Sequence, residues 1–224
     1  LEAAGVTRLD SARELARKAR YVVMAVKPYQ IEALLAEMAP EFGPDTVVIS
    51  VAAGISIARL QAAVAGRCPV VRCMPNTPAL VGKGVFALCF DDKVPAESKE
   101  DILRFFSQLG VCLELPESRF TAFSALIGAG PAYVFGMMQG LVQAGVTLGL
   151  GRKDCRDMVA ALFEGSAVMA ARSDTPLMEL RDQVCSPGGL TIAGVNVLDR
   201  AGLSGLLVDA VLAADERGRE MEKE

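Results

Sequence analysis

Hydrophobic positions change their spacing once along this chain, near residue 116. Before that point, short runs of consecutive apolar residues, typical of buried strands, alternate with segments of helical spacing. The strand candidates are residues 21–26, 46–51, 69–74, 84–90 and 111–115, and the helix candidates are 10–20, 28–39, 56–65 and 96–109. Strands that alternate with helices predict an α/β domain with a mostly parallel, doubly wound sheet.

Beyond residue 116 the strand pattern ends and helical spacing continues to the end of the chain, with Gly or Pro at most breaks. The helix candidates are residues 117–127, 131–149, 153–172, 176–184, 190–201 and 203–222. We therefore predict two domains, an α/β domain over 1–116 and an all-helical domain over 117–224. Ligand pockets commonly form where two such domains meet.

One break in the helical half is unusual, because Ser186, Pro187, Gly188 and Gly189 follow one another before Thr191. Proline ends the incoming helix, glycines allow backbone angles closed to other residues, and Thr191 is expected at the N-cap of the next helix. Free N–H groups at such a corner bind a small carboxylate without a charged side chain. From the spacing alone, a plain helix–turn–helix corner and a carboxylate site both remain open.

Composition restricts the possible partners. The 224 residues are 52% hydrophobic and 22% charged, with a net charge of −4 and no long basic run, so no nucleic-acid partner is expected. The apolar runs 21–26 and 47–53 are too short to span a bilayer. Residues 133–150 are more apolar, but glycines and glutamines interrupt them, which predicts a buried helix. We expect no membrane partner, no signal peptide and a cytoplasmic protein.

The six cysteines form no C-x-x-C pair, and the sequence has no histidine. Scattered buried thiols are typical of a reducing compartment and indicate neither a disulfide framework nor a metal site. Without histidine, Ser–His and Cys–His nucleophiles are excluded. Any chemistry must use another proton donor, water or a cofactor.

The chain begins at Leu1, inside what the pattern indicates is an α/β unit, and no strand followed by G-x-G-x-x-G is present. The G-x-G spacing at 128–130 follows a helical segment and precedes Pro131, so it is rejected as a phosphate loop. The first βα unit of a nucleotide-binding domain is therefore expected to be missing from this sequence.

Five segments together resemble Δ1-pyrroline-5-carboxylate reductases, in the right order and over essentially the whole chain. They are AVKP at 25–28, SVAAG at 50–54, RCMPNTP at 72–78, GAGPAY at 128–133 and the block 182–198. The resemblance implies a Rossmann-like dinucleotide-binding domain whose first βα unit is missing, followed by an all-helical dimerisation domain. It also implies reduction of pyrroline-5-carboxylate to L-proline by NADPH, with NADH possible, in a homodimer or a larger homo-oligomer.

The resemblance assigns residues to both halves of the reaction. The cofactor-binding residues it implies are Ala25, Val26, Lys27, Pro28, Ala52, Ala53, Asn76 and Gln183. The substrate-binding residues it implies are Glu117, Ser186, Gly189, Leu190 and Thr191. The backbone of 189–191 would bind the substrate carboxylate, and the Thr191 hydroxyl, the one catalytic group implied, would reach the ring nitrogen.

Two of these assignments have competing structural explanations. Lys27 ends a buried strand, which favours function, but a solvated surface lysine has the same sequence signature. Glu117 is equally explained as a carboxylate that stabilises a helix N-terminus. Three positions also depart from the family pattern: Ile127 and Ala129 replace serines, and Leu190 replaces a smaller residue.

Two other functions are compatible with a two-domain pattern of this kind. A β-hydroxyacid-type dehydrogenase would carry a lysine on the long helix after the domain junction, and residues 131–149 contain none. A non-catalytic dimerising helical module with an incomplete nucleotide domain stays open on sequence alone.

Overall fold

The computed structural model describes residues 5–221. The chain forms two compact units, one made of the residues up to Ala129 together with those from Ala214 onward, and the other of Gly130–Ala213. We call them the sheet unit and the helical unit.

The sheet unit contains a five-stranded sheet whose spatial order follows the chain. Its strands are β1 (Tyr21–Met24), β2 (Val47–Ser50), β3 (Val70–Met74), β4 (Gly84–Phe90) and β5 (Gly110–Glu114). All neighbouring pairs are parallel except β3 and β4. A short connection containing the 3₁₀ turn Thr77–Val81 joins these two strands, and a chain that returns without a crossover helix must run antiparallel.

Helices cover both faces of this sheet, as the alternating pattern predicts. They are α1 (Ala12–Lys18), α2 (Pro28–Met38), α3 (Ile57–Ala63) and α4 (Ala96–Ser107). On one face Val22, Val48 and Val70 pack with Ile31 of α2 and Leu60 of α3. The other face contains a second apolar cluster, in which residues of β2, β3 and β4 pack against Ile102 and Phe106 of α4. The central strand β2 is buried along its whole length because both faces are covered.

Three helices of the sheet unit begin with residues suited to a helix start. The Ser11 hydroxyl accepts the N–H of Glu14 at the start of α1, and Ser56 caps α3 in the same way through Arg59. Pro28 is the first residue of α2, where a missing N–H is tolerated.

Residues 117–129 differ from the single helix expected over 117–127. They form a 3₁₀ turn (Glu117–Arg119), the short helix α5 (Phe120–Phe123) and a π-helical turn (Ser124–Gly128). Phe120 and Phe123 are buried against Ala87 of β4, which makes this segment part of the sheet unit's core. The compact units therefore divide after Ala129, while the domain boundary predicted at 116/117 remains a prediction.

The remaining helices are α6 (Gly130–Thr147), α7 (Arg152–Ala171), α8 (Leu177–Gln183), α9 (Leu190–Arg200) and α10 (Leu203–Met221). Gly145 of α6 faces Cys155 of α7 so closely that a Cβ would lie 2.6 Å from the Cys155 sulfur. Among the described residues 130–213, only Val142 and Cys155 are buried apolar residues. The expectation of a buried helix at 133–150 is therefore wrong for the single chain, because α7 covers only one side of α6.

The continuous helical stretch Glu117–Thr147 is long and apolar enough to cross a membrane by length and composition, and 11% of its most apolar window is buried.

Candidate active site

Three of the predicted cofactor segments lie at one edge of the sheet. Parallel strands β1, β2 and β3 all end at this edge, where ligands gather in open α/β sheets. Residues 25–28 follow β1 directly and are all exposed, with Lys27 as the N-cap of α2. The strand expected over 21–26 ends at Met24, so Ala25 and Val26 belong to the loop. The structure thus places Lys27 at the strand end, in solvent, and its role stays a prediction.

The turn between β2 and α3 carries Ala52 and Ala53. The Ser50 hydroxyl accepts the N–H of Ala52 at 3.3 Å, Ala52 is buried, and Ala53 is exposed. Gly54 has a φ of +76° and no atom within 4 Å of the position a Cβ would take. The side chains at 52 and 53 are small and Gly54 has open space beside it, while contact of this turn with the nicotinamide half stays a prediction.

Asn76, in the loop after β3, uses both ends of its side-chain amide within the protein. Its Nδ2 donates to the carbonyl oxygen of Ile127 at 3.3 Å, and its Oδ1 accepts the N–H of Val85 at 2.9 Å. The amide therefore ties this loop to β4 and to the π-helical turn. In that turn the N–H of Ala129 donates to the Ser124 carbonyl at 2.9 Å. Such turns occur frequently at functional sites.

Glu117 makes two contacts that sequence reasoning missed. Its Oε1 accepts the N–H of Ile57 at 2.7 Å and a hydrogen bond from Nη1 of Arg72 at 3.0 Å. Glu117 therefore stabilises a helix N-terminus, which was the alternative to a substrate contact, and the helix concerned is α3. Arg72 was noted only as part of a motif, although a charged residue inside the apolar strand Val-Val-Arg-Cys-Met was a signal that it has partners.

These residues border a cleft of about 410 Å³ lined by Gly54, Ser56, Arg59, Arg72, Glu117 and Ser118. A second cleft, of about 460 Å³, lies between β1, β2 and α4 and contains none of the predicted site residues. The first cleft is therefore the one that belongs to the candidate site.

The corner between α8 and α9 belongs to the helical unit. Gly188 has a φ of +70°, which favours glycine, and the N–H of Gly189 donates to the Ser186 carbonyl at 3.0 Å. Helix α9 begins at Leu190 with Gly189 as its N-cap, so the expectation that Thr191 is the N-cap is wrong. Glycine occupies the cap because a Cβ there would lie 2.3 Å from the Ser186 hydroxyl oxygen. Thr191 is the second residue of α9, with its side chain exposed.

Because Gly189 and not Thr191 is the N-cap, the backbone N–H groups that can bind a ligand at this corner are those of Leu190 and Thr191. The Gly189 N–H already donates to the Ser186 carbonyl. The N–H groups of Leu190 and Thr191 lie in the first turn of α9, where no intrahelical acceptor exists. Across the corner, Nη1 of Arg181 on α8 lies 3.3 Å from Oδ2 of Asp199 on α9. That ion pair links the two helices, and the sequence did not reveal it. Gln183, the last residue of α8, is exposed.

The structure brings the predicted residues together in two groups. The sheet unit holds residues 25–28, Ala52, Ala53, Asn76 and Glu117, and the helical unit holds Gln183 and the corner residues Ser186, Gly189, Leu190 and Thr191.

The buried thiols of the sheet unit are poor nucleophiles. Burial raises the pKa of Cys68 to about 11 and that of Cys73 to about 12. Burial, and after it the negative charge of Glu117, also raises the pKa of Cys89. Within residues 5–221, no group of three or more Cys, Asp and Glu side chains is arranged to hold a metal ion.

Two family models match this chain. The model for pyrroline-5-carboxylate reductase dimerisation matches residues 117–221, and the model for coenzyme F420-dependent NADP oxidoreductases matches residues 1–54. The first match begins at Glu117, and the second covers β1, α2, β2 and the following turn.

Full-length relatives and solved structures agree with these models. The chain is 37% identical to a pyrroline-5-carboxylate reductase of Corynebacterium melassecola, over 98% of this chain and 82% of the relative. It is 36% identical to the pea (Pisum sativum) enzyme, over 98% of this chain and 80% of the relative. A Plasmodium falciparum pyrroline carboxylate reductase solved with NADP bound superposes with a TM-score of 0.89 at 34% identity, covering 96% of this chain and 81% of that one. The Coxiella burnetii reductase gives a TM-score of 0.91 at 31% identity, covering 98% and 82%.

Proposed function

This chain belongs to the pyrroline-5-carboxylate reductase family and reduces pyrroline-5-carboxylate to proline with NADP(H), and from that premise we propose which of its residues perform the reaction. The dehydrogenase and non-catalytic alternatives are set aside because curated relatives that share 36–37% of its residues are reductases. The observation that carries the residue assignment is the corner at 186–191, where two first-turn N–H groups and the Thr191 hydroxyl lie together.

On the cofactor side, we propose that residues 25–28 and the Ala52–Ala53 turn bind the nicotinamide half. Asn76 holds the loop after β3 in position, and Gln183 of the helical unit also contacts the cofactor. The small side chains at 52 and 53 and the shared strand edge support this assignment. NADPH, or NADH in its place, supplies the hydride that reduces the C=N carbon. The protein's part is to orient the ring and exclude water.

On the substrate side, the N–H groups of Leu190 and Thr191 bind the carboxylate, assisted by the positive end of the α9 dipole. The Ser186 hydroxyl lies beside the same backbone, and Gly189 keeps the approach open. Leu190 is 95% exposed, so its side chain is available to cover the substrate ring. The corner thus binds an anion without a charged side chain.

The Thr191 hydroxyl contacts the ring nitrogen. A hydroxyl accepts a hydrogen bond from a protonated imine and from the amine product, and it donates one to a neutral nitrogen. Protonation of the nitrogen favours reduction because a cationic C=N attracts hydride. With no histidine in the sequence, Thr191 or a water molecule held by it relays the proton.

Two roles are open to Glu117 in the cleft that it shares with Ser118: direct contact with the substrate, as the resemblance implies, and action through Arg72 and Ile57. The alternatives of direct contact and of action through Arg72 and Ile57 predict different kinetic effects, because only direct contact changes substrate affinity.

A dimerisation family model covers the helical half, so the chain forms a homo-oligomer. We propose a homodimer, or a larger ring built from it. In this assembly a second copy of the chain, and not lipid, covers the apolar face of α6. We also propose a cytoplasmic location, with no nucleic-acid and no membrane partner. A net charge of −4 supports the absence of nucleic-acid binding.

The test of this assignment is Thr191→Ala in the protein with whatever residues its gene places before Leu1. Loss of a hydrogen bond to a charged group costs about 2 kcal/mol, so kcat/KM for pyrroline-5-carboxylate should fall about 30-fold. Thr191→Ser keeps the hydroxyl and should stay within about threefold of the wild type.

The matched control is Thr147→Ala, the same substitution at an exposed position of α6 whose hydroxyl donates only to the Gln143 carbonyl. It should leave the KM for NADPH and the KM for pyrroline-5-carboxylate unchanged. A Thr191→Ala enzyme with wild-type kcat/KM would contradict the assignment.

A further inference from the structure

Glu117 and Arg72 connect the start of the dimerisation segment with the interior of the nucleotide-binding sheet. Glu117 is the first residue matched by the dimerisation model, and Arg72 lies in the middle of β3, paired with Ser50 of β2 and Cys89 of β4. Forty-five residues separate the two side chains, which meet at 3.0 Å. The contact is therefore part of the tertiary structure and not a local turn.

The Arg72 guanidinium is fixed in its position. Its side chain is 6% exposed, and its central carbon lies 4.7 Å from the centre of the fully buried Phe120 ring. A guanidinium buried in a sheet is costly unless its charge and hydrogen bonds are satisfied. Phe120 and Glu117 satisfy part of that requirement, and both belong to the segment that follows the sheet. Arg72 thus fixes the segment at 117–120 against β3.

The same Glu117 oxygen also fixes the start of α3. It accepts the first N–H of that helix, from Ile57, at 2.7 Å. At the other end of the preceding turn, the Ser50 hydroxyl accepts the N–H of Ala52. The Ala52–Ala53 turn is therefore held at one end by β2 and at the other by a carboxylate whose own position depends on Arg72.

We propose that Arg72 and Glu117 are positioning residues for the cofactor, acting through the Ala52–Ala53 turn and not by contact with pyrroline-5-carboxylate. This role rests on the proposed function, because it requires Ala52 and Ala53 to lie against the nicotinamide half. It gives Glu117 a different role from the substrate contact that the resemblance implies: the carboxylate orders the turn that receives the cofactor. Loss of the pair lets the turn move, which weakens cofactor binding and leaves the corner at 186–191 intact.

The test is the kinetics of Glu117→Ala, Glu117→Gln and Arg72→Lys, with both KM values and the NADPH dissociation constant measured for each. Glu117→Ala removes both hydrogen bonds and should raise the KM and Kd for NADPH about tenfold, while the KM for pyrroline-5-carboxylate stays within about twofold. Glu117→Gln keeps an acceptor for Ile57, and Arg72→Lys keeps the charge but not the flat stack on Phe120. Each of these two variants should raise the KM and the Kd for NADPH about threefold.

The matched control is Glu114→Gln, three residues earlier on β5, where the carboxylate is 52% exposed and pairs with Lys99. It should leave the NADPH constants unchanged. If Glu117→Ala does not fold, the graded effect of Glu117→Gln and Arg72→Lys decides the question.

Two results would overturn the proposal. A rise in the KM for pyrroline-5-carboxylate with unchanged NADPH constants would show direct substrate contact by Glu117. Unchanged kinetics in all three variants, with only a lower melting temperature, would show a purely structural pair. A wild-type enzyme without pyrroline-5-carboxylate-dependent NADPH oxidation would instead refute the proposed function, so the two failures are distinguishable.

Discussion

The sheet unit and the helical unit differ in where their apolar residues are buried. Among the described residues, every buried apolar residue except Val142 and Cys155 belongs to the sheet unit. The helical unit has almost no buried apolar core of its own and exposes large apolar side chains, among them Phe135 (63%), Leu162 (55%), Leu206 (61%) and Leu212 (60%). Contiguous exposed apolar surface marks an interaction site.

This difference shows that the two units gain stability in different ways. The sheet unit completes its core within one chain, whereas the helical unit matches a dimerisation family and needs a second copy to bury its apolar helices. Substitutions in the sheet unit should therefore act independently of oligomeric state, and those in the helical unit should act through it.

The largest effect should come from a charge placed on the exposed apolar surface of the helical unit. In the homodimer that we propose, the exposed Leu206 lies at the interface, so Leu206→Lys buries an ammonium group on each side and the dimer dissociation constant should rise at least about 100-fold. Sedimentation velocity should show monomer at concentrations at which the wild type is a dimer.

The control for that variant is Val111→Lys, on the exposed edge strand β5 of the sheet unit, where the side chain is 59% exposed. It should remain a dimer. If both Leu206→Lys and Val111→Lys dissociated into monomers, or if neither did, the helical unit would not differ from the sheet unit in its dependence on a second copy.

A smaller effect should appear in stability, measured by urea unfolding with and without Leu206→Lys. Leu88 of β4 is fully buried, so Leu88→Ala should cost about 3 kcal/mol in both backgrounds. Leu162 of α7 is 55% exposed in the single chain, so Leu162→Ala should cost about 2 kcal/mol in the dimer and less than about 0.5 kcal/mol in the monomer. Equal costs for Leu162→Ala in both backgrounds would contradict a partner-dependent helical unit.

A pH dependence of stability should also come from the buried thiols of the sheet unit. Burial raises the pKa of Cys68 from 9.0 to about 11, so the unfolded chain loses this proton at lower pH than the folded one. The stabilising contribution is complete below pH 9 and is lost as the pH rises to 11, by about 3 kcal/mol at most.

The difference between the wild type and Cys68→Ala isolates this contribution from the other groups that titrate at high pH. The free energy of unfolding of the wild type should fall more steeply between pH 9 and 11 than that of Cys68→Ala. Parallel curves for the two proteins would contradict the raised pKa of Cys68.

Local signals in the sequence predicted most of the elements, because each depends on neighbouring residues. The strand over 84–90 and the helices expected over 28–39 and 96–109 were all evident from short patterns. Contacts between distant residues were not: neither the Arg72–Glu117 ion pair nor the Arg181–Asp199 pair has a signature at fixed spacing.

The errors at the site have a similar origin. Thr191 was expected to be an N-cap because threonine favours that position, but the close approach of Ser186 to Gly189 makes glycine the residue that fits there. The helix expected at 117–127 was divided because Phe120 and Phe123 pack into the sheet unit's core, which the helical spacing alone does not show. The burial expected for residues 133–150 failed because spacing reveals an apolar face but not whether this chain or another covers it.

We propose that the sheet unit binds the cofactor and that the corner of the helical unit binds the substrate. The most direct test of this division of roles is one steady-state experiment that measures the KM for NADPH and for pyrroline-5-carboxylate in the wild type, Ala53→Leu and Thr191→Ala. Ala53→Leu places a larger side chain on the exposed turn and should raise only the KM for NADPH, by about tenfold, while Thr191→Ala should impair only the use of pyrroline-5-carboxylate. This division of roles would be contradicted if both variants changed the two KM values alike. It would also be contradicted if Ala53→Leu impaired only the use of pyrroline-5-carboxylate and Thr191→Ala raised only the KM for NADPH.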